Sequence, residues 1–379
     1  MRRTLVPAVL LFLALSLPAA SRAQAPPPPD QPDLVIDAAT RRAVVDTLCD
    51  RVERHYVFPE KAREVTRAIR RRMSRHEYDR ITSAMEFRDS LTAHMQAVAH
   101  DLHLRVHYRH EPIPVQKDDG PPPPDELKRI RDFNRVRNYG FERAERLPGN
   151  VGYLDLRQFS GDSDAYPTAV AAMNFLANTD AVIIDLRRNG GGHPAMIATI
   201  LTYFVEPDAR LLFNTFYARE TNEIEQYHTS PYVPGPRLAG KPLYVLTSRR
   251  TGSAAEEFAY DVQTHRLGTL VGEVSAGGAN PGGMYRLDEH FAAFIATGRA
   301  INPVTKTNWE GVGVRPDSLA KAGEALRAAH QMALRKLIDG ATDDPERVQA
   351  LRGALEDAAK RVADPDEDFA RPQRRRVGR

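Results

Sequence analysis

Acyl transfer needs a nucleophile, a base to take its proton and donors for the oxyanion, and two segments of this 379-residue chain offer parts of that set. One is Leu246-Thr247-Ser248-Arg249-Arg250-Thr251-Gly252-Ser253-Ala254-Ala255-Glu256-Glu257-Phe258, which reads as a strand running through a turn into a helix. A serine at such a turn presents its hydroxyl at the helix N-terminus, where the next amide, that of Ala254, can help hold an oxyanion. The same residues satisfy a plainer pattern, with Ser253 as a helix cap and Glu256 three positions on completing a capping box. Local sequence leaves both readings open.

The other segment is Asp185-Leu186-Arg187-Arg188-Asn189-Gly190-Gly191-Gly192, a predicted buried strand ending in a glycine run that opens toward a helix. Glycine lets backbone amides approach a reacting carbonyl, and amides at a helix start favour developing negative charge, so an oxyanion hole is one use. A tight turn is another. A nucleotide phosphate loop does not fit, because His193-Pro194-Ala195 stand where a lysine and a hydroxyl would follow. Metal catalysis finds no support in local spacing: the 12 histidines form no HExxH and no paired His/Asp cluster of ligand spacing. Cys49 is the only cysteine, which excludes a disulfide within the chain and a zinc site built on several thiolates. No cofactor and no metal are expected.

The elements that must position these residues begin after a secretory pattern. Residues 1–23 combine Arg2 and Arg3 with an apolar run from Leu5 to Ala20 and a small-residue end at Ser21-Arg22-Ala23, so a signal peptide cleaved after Ala23 is expected. The run is short for a bilayer span and holds two prolines, so no stable membrane span is expected after cleavage, and the product is expected to be periplasmic or extracellular. Removing Arg2, Arg3 and Arg22 takes the formal net charge from +3 to zero, which leaves nothing basic to argue for nucleic acid. A proline-rich linker is expected over 24–34, then an N-terminal helical domain ending in a strand over 35–115, where Val44, Leu48, Val52 and then Ala84, Phe87, Leu91, Met95 and Val98 keep helical spacing. His55 to Pro59 breaks it, and Asp101 to Tyr108 alternates like a strand. Residues 116–150 read as a polar linker region. From Val151, short apolar strands alternate with helical stretches, which makes 151–335 an α/β domain; residues 336–379 are expected to hold a C-terminal helix and a solvated basic tail ending in Arg374-Arg375-Arg376.

Together these residues resemble the tail-specific protease superfamily, peptidase family S41, in particular its branch similar to interphotoreceptor retinoid-binding protein and to the tricorn core protease. The resemblance covers most of the chain and is carried, in the expected order, by the His55 to Pro59 break, Asp101 to Val106, Asp185 to Gly192, Thr251 to Phe258, Val271 to Gly283, and Gly298 to Pro303 through Asn308 to Asp317. It implies a crotonase/ClpP-like spiral of β-β-α units, a nucleophile at Ser253, and an oxyanion hole from Ala254 with Gly190 or Gly191. The bacterial tail-specific branch places a lysine base in the loop that falls here in Ser275-Ala276-Gly277-Gly278-Ala279-Asn280, which has none, so a serine–lysine dyad is not expected. The tricorn-like branch instead uses a histidine before the glycine run and a glutamate far downstream, and the matching residues here are His103 and Glu310. An imidazole would take the serine proton while the carboxylate fixed its tautomer. Glu256 and Asn280 are expected to line the site, Asn280 standing where relatives of this branch often carry a histidine. Residues 109–150 are too few and too polar for a PDZ-like insert. The expected function is that of an exported serine peptidase acting on peptides or protein tails; the alternatives are an inactive member binding an apolar, retinoid-like ligand and, ranked lower, an esterase.

Overall fold

The structure is a computed structural model and describes residues 31–115, 124–365 and 369. The signal-like segment, most of the proline linker, residues 116–123 and the terminal arginines lie outside the described residues.

Three helices open the fold, α1 (Ala38–His55), α2 (Pro59–Ser74) and α3 (Ala84–Ala99). Asp37 caps α1 by accepting from the Thr40 amide at 2.8 Å, Pro59 occupies the first turn of α2, where a missing N–H costs nothing, and Ser83 accepts from the Glu86 amide to cap α3. Their apolar stripes, Val44, Leu48 and Val52 against Phe87, Leu91 and Met95, are buried. Strand β1 is Arg105–Tyr108. It is shorter than the alternating pattern from Asp101 predicts, because the Asp101 carboxylate takes the amides of His103 (2.8 Å) and Leu104 (3.3 Å) and holds 101–104 as a turn. His103 therefore sits on a turn and not in a strand.

Helix α4 (Pro124–Val136) leads into β2 (Phe141–Leu147) and β3 (Val151–Leu156), followed by α5 (Tyr166–Phe175), β4 (Ala181–Asp185), α6 (Pro194–Thr202), β5 (Leu212–Ala218), β6 (Glu223–His228), β7 (Leu243–Thr247), α7 (Ala254–Thr264) and β8 (Thr269–Gly272). After them come β9 (Gly282–Arg286), β10 (Phe291–Ala296), β11 (Gly298–Ile301), β12 (Ser318–Leu319), α8 (Ala322–Gly340) and α9 (Pro345–Lys360). Helix α8 runs through residue 335, so a boundary drawn there falls inside a helix.

The main sheet has the order β12-β8-β7-β4-β3-β2, parallel except for β2 at its edge. Strands β3, β4 and β7 are buried on both faces, which is why they read as continuous apolar runs. Val182, Ile184 and Val245 pack with α5, α6 and α7 in one cluster, while Ile183, Tyr244 and Leu246 pack with α8 and α9 in another. The fold is thus α/β, as the strand and helix alternation predicts.

A second sheet, β1-β10-β9, joins the two halves of the sequence: Arg105 pairs with Phe294 and Tyr108 with Phe291. Phe291, Ala293 and Ile295 belong to the same buried cluster as Val44, Leu48 and Phe87. The helical body is completed by a hairpin that the sequence places almost two hundred residues later. A third sheet has the order β11-β5-β6.

Candidate active site

Ser253 lies where β7 turns into α7, with φ 53° and ψ −124°. A non-glycine residue there stores strain on the order of 1–3 kcal/mol, which the surroundings must over-determine. They do so through hydrogen bonds. Thr251 donates its hydroxyl to Leu186 O (2.8 Å), Ser248 donates to Arg187 O (2.6 Å), and the Gly252 amide donates to Asn189 O (3.1 Å), so the turn is tied along the segment that follows β4. That segment is anchored by Arg187, fully buried, whose guanidinium grips the Asp185 carboxylate at 2.9 and 2.6 Å while Tyr153 donates to the same carboxylate at 2.7 Å.

The glycine run is brought against the serine. Gly191 has φ 121°, and a Cβ there would fall 2.8 Å from Ser253 Cβ and 3.2 Å from the Ala254 nitrogen, so only glycine fits. The Gly191 amide donates to Asn189 Oδ1 at 2.9 Å and is already committed. Gly190 faces open space, with nothing within 4 Å of where its Cβ would be. Ala254 provides the first amide of α7, one of those a helix start leaves without an intrahelical acceptor.

Glu256 is buried rather than lining an open site. One of its oxygens accepts from the amides of Ser253 (2.8 Å) and Gly278 (2.9 Å); the other accepts from Ser275 Oγ (2.6 Å) and the Gly277 amide (2.5 Å). Burial raises its pKa, and these four donors oppose the rise. The capping-box spacing is therefore used, but the carboxylate does more than cap: it binds the serine turn to the loop 275–278.

The His103 ring rests against that loop. A Cβ on Gly278 would lie 2.8 Å from His103 Cε1 and 3.0 Å from Nε2, so the imidazole lies directly against the Gly278 backbone. Trp309, buried, fixes the same point by donating Nε1–H to Gly278 O at 3.0 Å. The His103 ring leans on Phe294 with centroids 5.5 Å apart, and its side chain is 25% exposed. Burial lowers its pKa, Asp101 opposes the lowering and Arg105 adds to it, a balance that favours the neutral ring a proton acceptor needs.

Glu310 Oε2 lies 3.9 Å from His103 Nδ1, outside hydrogen-bond range, and Nδ1 is buried without a partner. The carboxylate is held by the amides of Leu102 (3.1 Å), Ala279 (2.6 Å) and Asn280 (3.0 Å). Burial first, and then the negative charge of Asp101, push its pKa up to about 7 against those three donors. Asn280 is buried, donates weakly to Asp101 Oδ2 (3.4 Å) and borders a cavity of about 360 Å³ shared with Asp101 and Glu310.

The fold thus brings His103 to Glu310, and Ser253 to Gly191, with Glu256 and Gly278 joining the two pairs. Sequence reasoning assigned no role to Asp101, Tyr56 or Ser275. Asp101 is buried and accepts from Tyr56 Oη at 3.1 Å; the only sequence signal for it was an aspartate two residues before the candidate histidine.

Comparison with known proteins gives the family and the fold. The family model for peptidase family S41 matches residues 150–320, and one for the N-terminal domain of S41 peptidases in eukaryotic IRBP matches residues 38–133. The carboxy-terminal-processing protease of Bartonella bacilliformis is 26% identical over 198 residues, 51% of this chain and 43% of its own length. The carboxyl-terminal-processing protease of Synechocystis sp. is 28% identical over 177 residues, 46% of this chain and 39% of its own length. The chain spans less than half the length of these curated relatives. Among solved structures, a candidate peptidase from Parabacteroides merdae shares the fold with a TM-score of 0.52 at 18% identity, covering 78% of this chain and 96% of that one.

Proposed function

The chain belongs to peptidase family S41, and we propose that it is an active serine-type peptidase that cleaves peptides or protein tails through an acyl-enzyme. Ser253 Oγ attacks the scissile carbonyl while His103 Nε2 takes its proton; the C–N bond breaks, the amine leaves with that proton, and water then hydrolyses the ester by the same route. Glu310 closes onto Nδ1–H as substrate binds and holds the tautomer that leaves Nε2 free. Catalytic hydrogen bonds are often long before substrate arrives, so the 3.9 Å separation is compatible with this role. The Ala254 amide and the Gly190 amide hold the oxyanion, because the Gly191 amide is engaged by Asn189. The single observation that carries the reading is the strained Ser253 facing Gly191 at the start of α7, joined through one carboxylate oxygen of Glu256 to the loop beneath His103.

The alternative of an apolar-ligand carrier gains nothing here. The cavity beside Glu310 is bordered by Glu60, Lys61, Glu64 and Asp101, which an apolar ligand would strip of water. Export follows from the signal-like residues 1–23, with a periplasmic or extracellular product; no helix among the described residues is long and apolar enough to cross a membrane.

The test is labelling of the purified protein with a serine-directed phosphonate. Wild type should label, and Ser253→Ala and His103→Ala should not. Folded wild type that fails to label would remove the peptidase reading.

A further inference from the structure

We infer that Asp101, His103 and Glu310 form a binding site for a divalent cation of the zinc type, and that the cation switches the enzyme off. The binding claim stands on the site's own geometry; the switching claim rests on the peptidase reading above.

One ligand atom from each of the three residues lies within 4.8 Å of the others. Tetrahedral zinc with bonds of about 2.0–2.2 Å spaces its ligand atoms roughly 3.5 Å apart, so capture needs side-chain movements of about 1 Å. The second observation is independent of the acids. His103 Nδ1 is buried with no hydrogen-bond partner, a dry lone pair or an unmade donor that costs free energy as it stands. A cation beside Glu310 satisfies it.

The surrounding groups already orient the ligands. Asp101 is fixed by the amides of His103 and Leu104 and by Tyr56 Oη, and Glu310 by the amides of Leu102, Ala279 and Asn280. Such outer contacts pre-set ligand geometry and lower the cost of assembling a metal site. A route in exists as well: the cavity of about 360 Å³ reaches Asp101 and Glu310, and the two further carboxylates that border it, Glu60 and Glu64, outnumber its one cation, Lys61. One imidazole and two carboxylates with a position left for water is a zinc-type donor set, whereas calcium takes six to eight oxygens and magnesium keeps most of its water.

The consequence follows from proton bookkeeping on the ring. A neutral imidazole carries one proton. With the cation on Nδ1 that proton must sit on Nε2, which then has no lone pair for the Ser253 hydroxyl. Glu310, now a ligand, can no longer hold Nδ1–H, and releases to solvent any proton it carried. No electrons move, and removal of the cation restores the competent tautomer.

The experiment titrates the chelator-treated full chain with zinc chloride against a chromophoric zinc indicator, and in parallel follows the rate of phosphonate labelling. One tight zinc per chain is expected, with labelling slowed at least tenfold and restored by EDTA. Asp101→Asn and Glu310→Gln, each of which removes a ligand, should weaken zinc at that site by at least the roughly 10- to 100-fold that losing an outer-shell partner costs. His76→Ala, which removes an exposed histidine elsewhere, should leave it unchanged. Circular dichroism confirms that each variant is folded, and His103→Ala supplies a third variant of the site. Zinc affinity equal to wild type in folded Asp101→Asn and Glu310→Gln overturns the site. Labelling unmoved by stoichiometric zinc overturns the switch. Chelated wild type that never labels removes the peptidase reading and the switch with it, while the titration still decides the site.

Discussion

Replacing Glu256 by glutamine separates a capping role from a catalytic one. The carboxylate accepts two donors on each oxygen: the Ser253 and Gly278 amides on one, Ser275 Oγ and the Gly277 amide on the other. A glutamine keeps one acceptor and turns an NH2 toward the other pair. If the NH2 faces Ser253 and Gly278, two buried amides lose their acceptor. If it faces Ser275 and Gly277, the hydroxyl can rotate to accept, but the Gly277 amide meets a donor. One or two hydrogen bonds to a charged acceptor are therefore lost, at roughly 1.5–3 kcal/mol each, for a total of about 1.5–6 kcal/mol. That is a sizeable part of a stability on the order of 5–15 kcal/mol, so the melting temperature should fall by several degrees while the protein still folds at low temperature. The kinetic effect should be larger than the stability loss implies, because both the strained serine and the backbone under His103 hang from the same side chain. A displacement near 1 Å costs on the order of 100-fold in rate. The assay is the second-order rate of phosphonate labelling, measured well below the melting temperature of both proteins. Ser275→Ala, which removes one donor of the four, should show a smaller loss of the same kind. Labelling of folded Glu256→Gln at the wild-type rate would refute the reasoning and reduce Glu256 to a helix cap.

Activity in the presence of EDTA should rise with pH along a limb near 7, because Glu310 titrates there and only its carboxylate can hold His103; Glu310→Gln should abolish that limb, and Asp101→Asn should move it to lower pH by removing a negative neighbour. Gly278→Ala should cut labelling by about 100-fold with little change in melting temperature, since the new methyl meets the His103 ring at 2.8 Å while the backbone there is not left-handed; an unchanged rate would show that the ring's seat is immaterial. Glu257 and Asp261 are both buried on α7, and burial raises both pKa values, that of Glu257 from the usual 4.5 to about 8, while the negative charge of Glu257 adds to the rise at Asp261. The folded state then holds protons that the unfolded chain releases, so this contribution is full at low pH and is lost as pH rises through about 8; melting temperature should decline across that window, and Glu257→Gln should flatten the decline.

What the sequence made legible was what is local. The strand–turn–helix around Ser253, the glycine run after β4 and the caps of α1 and α3 each rest on residues within a few positions of one another, and apolar period distinguishes buried parallel strands from amphipathic helices without knowledge of the partner. Glu256 was legible as a cap and as a residue near the site but not as a link between two loops, because two of its four donors, the Gly277 and Gly278 amides, are anonymous backbone groups about twenty residues away. The start of β1 was misread for a related reason: alternation continues through Asp101 to Leu104, but the aspartate side chain captures two amides that a strand would have spent on a neighbour.

The pairing of β1 with β10 explains why the proposed base and the proposed nucleophile can be held together at all. His103 belongs to the helical body, whose cluster is completed by Phe291, Ala293 and Ile295 of the hairpin that follows the loop 275–280. Ser253 belongs to the α/β body and is tied to that same loop through Glu256. The loop is covalently continuous with β8 on one side and β9 on the other, and Glu256, Trp309 and His103 converge on it at Gly278. A chain that placed the histidine on an independent helical domain would need an interface to position it. Here the α/β half supplies two strands of the helical body's own sheet, and the position of His103 relative to Ser253 is set by a buried core rather than by a contact between domains.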